Sequence, residues 1–193
     1  MNLQPTNIDS LFVVDTKPFG DHRGQFARYF CDHELEGILQ GRTIRQINHS
    51  MTASPGAIRG MHFQNPPYAE MKLVRCLRGR VWDVAIDLRA GSETFLRWHA
   101  EELSAENRLM IAIPEGFAHG FQVLEPESEL LYLHTAVYHT PSEGGVRFDD
   151  PALAIHWPLP VTDVSLRDTQ HPLIMPNFTG ITINPLDRQT FDR

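Results

Sequence analysis

Two histidines and a lysine lie in short segments whose residue types suit proton transfer. His62 lies in Arg59-Gly60-Met61-His62-Phe63-Gln64, Lys72 follows soon after it, and His119 lies in Ile113-Pro114-Glu115-Gly116-Phe117-Ala118-His119-Gly120-Phe121. Imidazole titrates near neutral pH and is the usual side chain for moving a proton there. His62 is therefore the candidate base, although a single histidine is more often only a part-buried residue of the core or of a turn.

A base of this kind needs a partner that fixes its tautomer, and Asp168 is the candidate. It lies in Val164-Ser165-Leu166-Arg167-Asp168. A carboxylate that binds the second imidazole nitrogen raises the basicity of the first. The alternative is that Asp168 caps a turn or helix, and spacing alone favours that alternative.

A metal site is the competing interpretation of the histidines. The turn Pro114-x-Gly116 before His119 resembles the second motif of the cupin superfamily, in which the histidine is often a metal ligand. The first cupin motif usually contains His-x-His, whereas this chain has His62-Phe63-Gln64. A set made of His62, Glu70 and His119 remains possible, but we expect a barrel without metal.

The composition excludes several classes of partner. The chain has 193 residues, a formal net charge of −7, 41% hydrophobic and 21% charged residues, which is ordinary for a soluble globular protein. The acidic balance argues against nucleic acid as a partner. No apolar run approaches the roughly 18 residues of a membrane helix, and no signal peptide is evident, so we expect no membrane contact and a cytoplasmic location. Cys31 and Cys76 are expected to be buried thiols.

Short strands separated by turns must position these residues. Glycines and prolines recur at short intervals between runs of Val, Ile, Leu, Phe and Tyr, which predicts an all-β fold, an antiparallel barrel or sandwich with few peripheral helices. The helix candidates are Asp32 to Gln40, capped by Asp32, and Ser104 to Asn107. We expect a single domain over 1–193, with a core of about 12–173 and a C-terminal extension over 174–193.

Two strands show clear alternation. From Val81 to Leu88, the apolar residues Trp82, Val84, Ile86 and Leu88 share one face, and Asp83, Ala85 and Asp87 share the other. A solvent-facing strand would explain the acids, but in a barrel the same face can point into a cavity. From Leu130 to Tyr138, Tyr132 and Tyr138 share a face about 20 Å apart if the strand is straight. If both tyrosines bind ligand, the ligand is long.

Taken together, ordered segments resemble one family. They are Phe19 to Phe26, Gln46 to Ser50, Arg59 to Gln64, Lys72 to Arg75, Val81 to Arg89, Leu103 to Asn107, Ile113 to Phe121, Tyr132 to Tyr138, Asp150-Pro151 and Ser165-x-x-Asp168. On these motifs the chain resembles the dTDP-4-dehydrorhamnose 3,5-epimerases, isomerases with a cupin-like jelly-roll barrel. The resemblance implies epimerisation of a nucleotide-diphospho-4-keto-6-deoxyhexose at C3 and C5, in a deoxysugar pathway of the dTDP-rhamnose type, with no cofactor.

The resemblance also implies roles for the site residues. His62 would be the base, Asp168 its orienting carboxylate, Lys72 the cation near the developing enolate, and Tyr132 the acid on the opposite face. The remaining implied contacts hold the substrate: Asp83 and His119 at the sugar; Tyr138, Arg59, Gln46 and Asn48 toward the nucleotide diphosphate; Arg23 and Phe26 in the neighbouring subunit's site. Arg167 is a further implied substrate-binding residue. A homodimer is therefore implied.

Three positions depart from the family pattern. Arg28 stands where glutamate is common, Glu70 where glutamine is usual, and Arg167 where lysine is usual. The nucleotide base is therefore open, as is an enzyme that inverts only C3 of a dTDP- or CDP-linked sugar. A metal-dependent cupin oxygenase or isomerase and a non-catalytic sugar-nucleotide-binding module are the alternatives from other classes.

Overall fold

The computed structural model describes residues 1–184. Within them the regular secondary structure is almost entirely strand, with two single-turn helices. The strands are β1 Asn2–Pro5, β2 Phe12–Asp15, β3 Phe19–Asp21, β4 Gly24–Phe26, β5 Gln46–Thr52, β6 Ile58–Gln64, β7 Lys72–Arg78, β8 Arg80–Asp87, β9 Trp98–Ser104, β10 Leu109–Ile113, β11 Phe117–Val123, β12 Ser128–His134 and β13 Glu143–Gly145. The helices are α1 Glu36–Leu39 and α2 Leu166–Thr169, and a 3-10 turn covers Thr140–Ser142.

Two antiparallel sheets enclose the main core. One has the order β1-β2-β10-β7-β12-β5 and the other β13-β6-β11-β8-β9, while β3 and β4 form a separate hairpin. The two inner faces share one buried cluster, in which Val74 and Leu130 of the first sheet meet Ala85 and Phe121 of the second. Such a two-layer arrangement confirms the predicted jelly-roll sandwich.

The alternation predicted for β8 is confirmed. Val84 and Ile86 join an apolar cluster on the outer face of their sheet, whereas Ala85 joins the inner core. The solvent-facing alternative for the acids is wrong, because Asp83 and Asp87 are both completely buried. Buried carboxylates need hydrogen-bond partners, and Asp87 finds them in Arg89, Ser92 and Thr94.

The strand predicted from Leu130 to Tyr138 ends earlier, at His134. After His134, two side-chain oxygens accept hydrogen bonds from backbone N–H groups, where a continued strand would offer backbone carbonyls. Thr135 Oγ1 accepts from Met71 N at 2.9 Å, and Gln46 Oε1 accepts from Tyr138 N at 3.0 Å. The chain therefore leaves the sheet after His134, and the assumption of a straight strand through Tyr138 is wrong.

The helix predictions are only partly correct. The segment from Asp32 contains only the single turn α1, which starts after Leu35 without a side-chain cap and ends at Gln40 in the left-handed region, φ 49°. Asp32 instead accepts from the neighbouring His33 N. The predicted helix from Ser104 to Asn107 is a turn, closed by reciprocal side-chain to backbone hydrogen bonds of these two residues.

The last described segment packs on the outer face of the five-stranded sheet. Ile181 is buried and forms an isolated parallel bridge with Arg89, and Phe178 and Ile183 contact the same apolar cluster. Of the C-terminal extension expected over 174–193, residues 185–193 lie outside the described part. Within residues 1–184, the longest helices are far too short to cross a bilayer.

Candidate active site

A cavity of about 630 Å³ collects most of the residues predicted to carry chemistry. Side chains from β5, β6, β7, β11 and β12 line it, together with the segment that contains α2. The predicted residues that line it are Asn48, Arg59, His62, Lys72, His119, Tyr132, Tyr138, Arg167 and Asp168. Arg23, Phe26, Gln46 and Asp83 do not line it.

Two glycines let the strands that carry the histidines come unusually close. A Cβ on Gly60 would lie 2.5 Å from Gly120 Cα, and Gly60 has a φ of +128°, which side chains rarely adopt. Beyond this crossing of β6 and β11, His62 pairs in register with His119. Side chains of directly paired residues lie on the same face of a sheet, so both imidazoles reach the same cavity.

His62 is bonded to Asp168, as predicted. Its Nε2 lies 2.7 Å from Asp168 Oδ1, and Gly60 N donates to Oδ2 at 3.2 Å. Asp168 is held in α2, whose N-cap Ser165 accepts from Asp168 N. Burial opposes ionisation of Asp168, but the hydrogen bond and charge of His62, with the Gly60 amide, lower the pKa of this carboxyl below its usual value.

This contact determines which nitrogen of His62 can act as a base. An ionised carboxylate only accepts hydrogen bonds, so Nε2 carries the proton and donates it to Asp168. The lone pair then lies on Nδ1. The His62 side chain is 30% exposed, while that of Asp168 is only 4% exposed, so the imidazole can meet a ligand in the cavity.

Asp83 supports His119 from behind instead of lining the cavity. Its two oxygens lie 3.0 and 2.9 Å from His119 Nε2, and both residues are buried. The prediction that His119 lines the pocket agrees with the structure, whereas the same prediction for Asp83 is wrong. The reason is the strand order, since β8 lies beside β11 in the same sheet and is one strand farther from β6 and His62.

Tyr132 contributes a protonated phenol to the cavity. Its hydroxyl lies 3.1 Å from Ser50 Oγ, and its ring contacts those of His119 and His134. Burial raises the pKa of Tyr132 far above its usual value, against the weaker opposing effect of the Ser50 hydrogen bond. The hydroxyl is therefore a proton donor throughout the physiological range.

Lys72 belongs to a buried polar network. Its Nζ donates to the carbonyl of His62 at 3.3 Å and lies 3.5 Å from Glu70 Oε1. Glu70 Oε2 accepts from His134 Nδ1 at 2.9 Å, and His134 Nε2 lies 3.3 Å from Asn48 Nδ2. Burial would raise the pKa of Glu70, but His134 and Lys72 together lower it, so the carboxylate is ionised.

The contacts of this network also bear on the alternative of a metal site made of His62, Glu70 and His119. Glu70 is directed at His134, and these three residues do not form a metal-binding cluster in the described part of the chain. Sequence reasoning also missed His134 as a site residue. The one available signal was its place on the same face of β12 as Tyr132.

At the rim, Glu143 joins two predicted residues. It accepts from the hydroxyl of Tyr138 at 2.8 Å and forms an ion pair with Arg167. Arg59 donates to Thr52 Oγ1 at 2.8 Å, and Gln46 donates to Asn48 at 3.1 Å from outside the cavity lining. The guanidinium groups of Arg59 and Arg167 both line the cavity, and such groups can hold an anionic ligand.

His171 is a further neighbour of the dyad that the sequence did not indicate. Its ring meets that of His62 edge-on at 5.7 Å, and its Nε2 lies 3.8 Å from Asp168 Oδ1. Burial and the charge of His62 lower the pKa of His171. Within residues 1–184, His62, Asp168 and His171 are the only three potential metal ligands found close together.

The hairpin β3–β4 lies apart from this cavity. Arg23 pairs with Asp21, and Phe26 is 66% exposed. Arg28, one of the departures from the family pattern, forms an ion pair with Glu34. The hairpin residues therefore contribute nothing to the site of their own chain.

Comparison with known proteins gives the class. The family model described as dTDP-4-dehydrorhamnose 3,5-epimerase matches residues 5–175. A relative of that name from Sinorhizobium fredii is 39% identical over 173 residues, covering 89% of each chain. A Streptomyces niveus relative named dTDP-4-dehydrorhamnose 3-epimerase is 36% identical over 169 residues, covering 87% of this chain and 81% of its own.

A solved structure agrees in fold and sequence. The Legionella pneumophila Philadelphia 1 dTDP-6-deoxy-D-glucose-3,5-epimerase, in complex with dTDP-4-keto-L-rhamnose, superimposes with a TM-score of 0.85. It is 40% identical, covering 89% of this chain and 92% of its own. The chain belongs to the dTDP-4-dehydrorhamnose 3,5-epimerase family and is an isomerase by class.

Proposed function

We propose that this protein epimerises a dTDP-linked 4-keto-6-deoxyhexose at C3 and C5 without a cofactor, as a step of deoxysugar synthesis of the dTDP-rhamnose type. The observation that carries the proposal is the His62 to Asp168 hydrogen bond beside a cavity that Tyr132 and Lys72 also line. An oriented base, a cation and a neutral phenol are the groups that carbanion chemistry next to a ketone requires.

The reaction begins with removal of a proton beside the ketone. The carbonyl at C4 acidifies the hydrogens on C3 and C5, and Nδ1 of His62 takes one of them. The C–H electron pair moves into an enolate whose negative charge develops on the C4 oxygen. Lys72 stabilises that oxygen, and Asp168 stabilises the imidazolium that forms.

The second half of the reaction returns a proton from the opposite face. Tyr132 donates its phenolic proton to the carbon, the carbonyl reforms, and the configuration at that carbon is inverted. The phenol is suited to this because burial keeps it protonated. Proton exchange with solvent resets the imidazole and the phenol, so no electrons are gained or lost.

The nucleotide diphosphate part of the substrate fits the rim. The Legionella relative is described as a complex with a dTDP-linked sugar. In this chain Arg59 and Arg167 both line the cavity, and guanidinium forks suit phosphate oxygens. Tyr138 lies near Arg167, since both contact Glu143. We assign Gln46 and Asn48 to the support of this end.

A homodimer is part of the proposal. β5 is the edge of the six-stranded sheet, and its side chains Ile47 and Met51 are 61% and 51% exposed. Exposed apolar edges are surfaces that proteins normally cover. The hairpin that carries Arg23 and Phe26 extends away from its own cavity, which supports its insertion into the site of a partner.

Inversion at C3 alone is the second candidate. It is favoured by the Streptomyces niveus relative, which is named a 3-epimerase and is 36% identical. The two candidates share the base and differ in whether the C5 hydrogen also comes within its reach. They predict different labelling patterns, so one experiment separates them.

The test is incubation of the protein with dTDP-4-keto-6-deoxyglucose in deuterated water, with NMR of each sugar carbon. Deuterium at C3 and C5 is expected, and label at C3 alone would assign the second candidate. The matched control is His62→Asn, which should incorporate no label while keeping the fold.

Binding without exchange in the unaltered protein would contradict both candidates and indicate a non-catalytic module. Activity that disappears after chelation and returns with iron, manganese or zinc would indicate a metal-dependent cupin.

A further inference from the structure

We propose that His62, Asp168 and His171 bind a divalent transition metal such as Zn²⁺, and that the bound metal reversibly inhibits the enzyme. The inhibitory part of this inference rests on the proposed function, because it concerns the base of that reaction. The metal-binding part depends only on the geometry of the three side chains.

The three ligand atoms are close to the separations that a metal ion requires. His62 Nε2 and His171 Nε2 lie 2.7 and 3.8 Å from Asp168 Oδ1, and one ligand atom of each residue lies within 4.8 Å of those of the other two residues. Zinc bonds of about 2.0–2.1 Å in a tetrahedron place ligand atoms about 3.3 Å apart. Changes of roughly half an ångström in the two distances to Asp168 Oδ1, together with an approach of the two imidazoles by at most about 1.5 Å, would therefore create the site.

The second observation is the state of His171. Its Nε2 is buried and has no hydrogen-bond partner, although buried polar atoms normally have one. The ring also occupies space that only a glycine leaves open, since a Cβ on Gly145 would lie 2.4 Å from it. An unpaired imidazole nitrogen beside a carboxylate and a second imidazole is a preformed set of metal ligands.

The chemistry of the ligands selects the metal. Two imidazoles and one carboxylate suit Zn²⁺ and its transition-metal neighbours, whereas Mg²⁺ and Ca²⁺ prefer oxygen ligands. The ion would enter from the cavity, because His62 and Asp168 both line it. The fourth coordination position would then face the space that the substrate occupies.

Inhibition follows from the tautomer of His62. In the free protein Nε2 carries the proton and Nδ1 carries the lone pair. A metal ion on Nε2 takes the lone pair there, so the single proton of the neutral imidazole moves to Nδ1. The nitrogen that must accept the substrate proton is then already protonated, and no electron or additional proton has to leave the site.

The binding test uses Co²⁺ as a visible probe of the site, added to protein pre-treated with EDTA. The unaltered protein is expected to develop the intense visible absorption of four-coordinate Co²⁺, and excess nucleotide-sugar should reduce it. His171→Ala and His171→Gln should lose at least about tenfold in Co²⁺ affinity, which corresponds to 1.4 kcal/mol or more. His33→Ala, which removes an exposed histidine, is the matched control and should bind as the unaltered protein does.

The inhibition test compares Zn²⁺ and Mg²⁺ in the epimerase assay. Both His171 variants should retain metal-free activity, and their half-inhibitory Zn²⁺ concentration should rise at least about tenfold. Mg²⁺ should not inhibit. Equal Co²⁺ affinity or equal Zn²⁺ inhibition in the His171 variants would overturn the proposal, as would activation by Zn²⁺. If no epimerase activity exists, the Co²⁺ titration alone still decides the site, so its failure is distinguishable from failure of the proposed function.

Discussion

Both oxygens of Asp83 lie within 3.0 Å of His119 Nε2, in a contact from which solvent is excluded. Because the carboxylate accepts from Nε2, the ring of His119 is held in one orientation and one tautomer. Since Asp83 lies in β8 and His119 in β11, these two paired strands also fix the direction of the other ring nitrogen. Asp83 acts on the site through His119 and not by contact with a ligand.

Removing this carboxylate should destabilise the fold. Asp83→Ala leaves the buried imidazole of His119 without its acceptor, which costs about 1–3 kcal/mol of unfolding free energy. Urea denaturation measures this difference. Asp149→Ala is the control, because Asp149 pairs with Arg147 at the surface and its loss should have little effect. Equal midpoints for the two variants would contradict the role of Asp83.

Asp168→Asn should abolish most of the catalysis without unfolding the protein. An amide can donate to His62 Nε2, which would favour the tautomer with the proton on Nδ1 and so remove the basic lone pair. A comparable replacement in a serine protease lowers kcat about ten-thousandfold, and we expect at least a hundredfold loss here. Single-turnover loss of the C3 deuteron measures this step. A kcat within about threefold of normal would show that Asp168 does not orient the base.

Tyr132→Phe should reduce net epimerisation more than it reduces exchange. His62 would still remove the proton, but reprotonation would come from solvent or from the imidazole on the original face. NMR of the product stereochemistry, alongside deuterium uptake, gives the two rates. A parallel loss of both would show that Tyr132 does not return the proton. Because burial raises the pKa of Tyr132, ionisation of this phenol should not cause any loss of activity below pH 9. The variant should therefore keep any alkaline decline that the unaltered protein shows below that pH.

Glu70→Gln should lower stability in a pH-dependent way. The folded-state pKa of Glu70 lies below its usual value, so its charge contributes stability that is present above about pH 4.3 and is lost as the pH falls through the folded pKa. The variant should therefore be less stable than the unaltered protein at pH 7, and the difference should shrink as the pH falls below about 4.3. Thermal unfolding across that range measures the gap, and a gap independent of pH would mean that the Glu70 charge is not involved.

Mixing two inactive variants should restore activity if the hairpin serves a partner's site. His62→Asn lacks the base and Arg23→Ala lacks the hairpin guanidinium. In a mixed dimer, one site would combine the intact His62 of one subunit with the intact Arg23 of the other. Activity should approach a quarter of the normal value after random subunit exchange of equal amounts. No recovery in verified mixed dimers would place Arg23 outside the partner's site.

The sequence predicted the features that depend on local pattern. The period of two in β8 separates Ala85 from Val84 and Ile86, and the structure has the same two faces. The His62 to Asp168 contact was expected only through the family resemblance, because spacing alone favoured a turn for Asp168. The structure has both, since Asp168 lies in the single turn α2 and also reaches His62.

What the sequence could not predict depends on strand order and on packing across long distances. Asp83 lies behind His119 because β8 neighbours β11, and nothing local to Asp83 indicates that neighbour. His171 comes to the dyad only because Gly145, in β13, leaves space for its ring. The early end of β12 also depends on residues far away in the sequence. Tyr138 bonds to Gln46 of β5, and Thr135 bonds to Met71, just before β7.

The dyad joins a residue of β6 to one in α2, 106 positions farther along the chain. During translation, both sheets can therefore form before the ribosome has released the aspartate that steadies the base. A nascent chain stalled when β13 but not α2 has left the ribosome should already be resistant to protease and still be inert. The enzyme would then become active late and in one step, when the short segment that contains α2 packs against a barrel that has already folded.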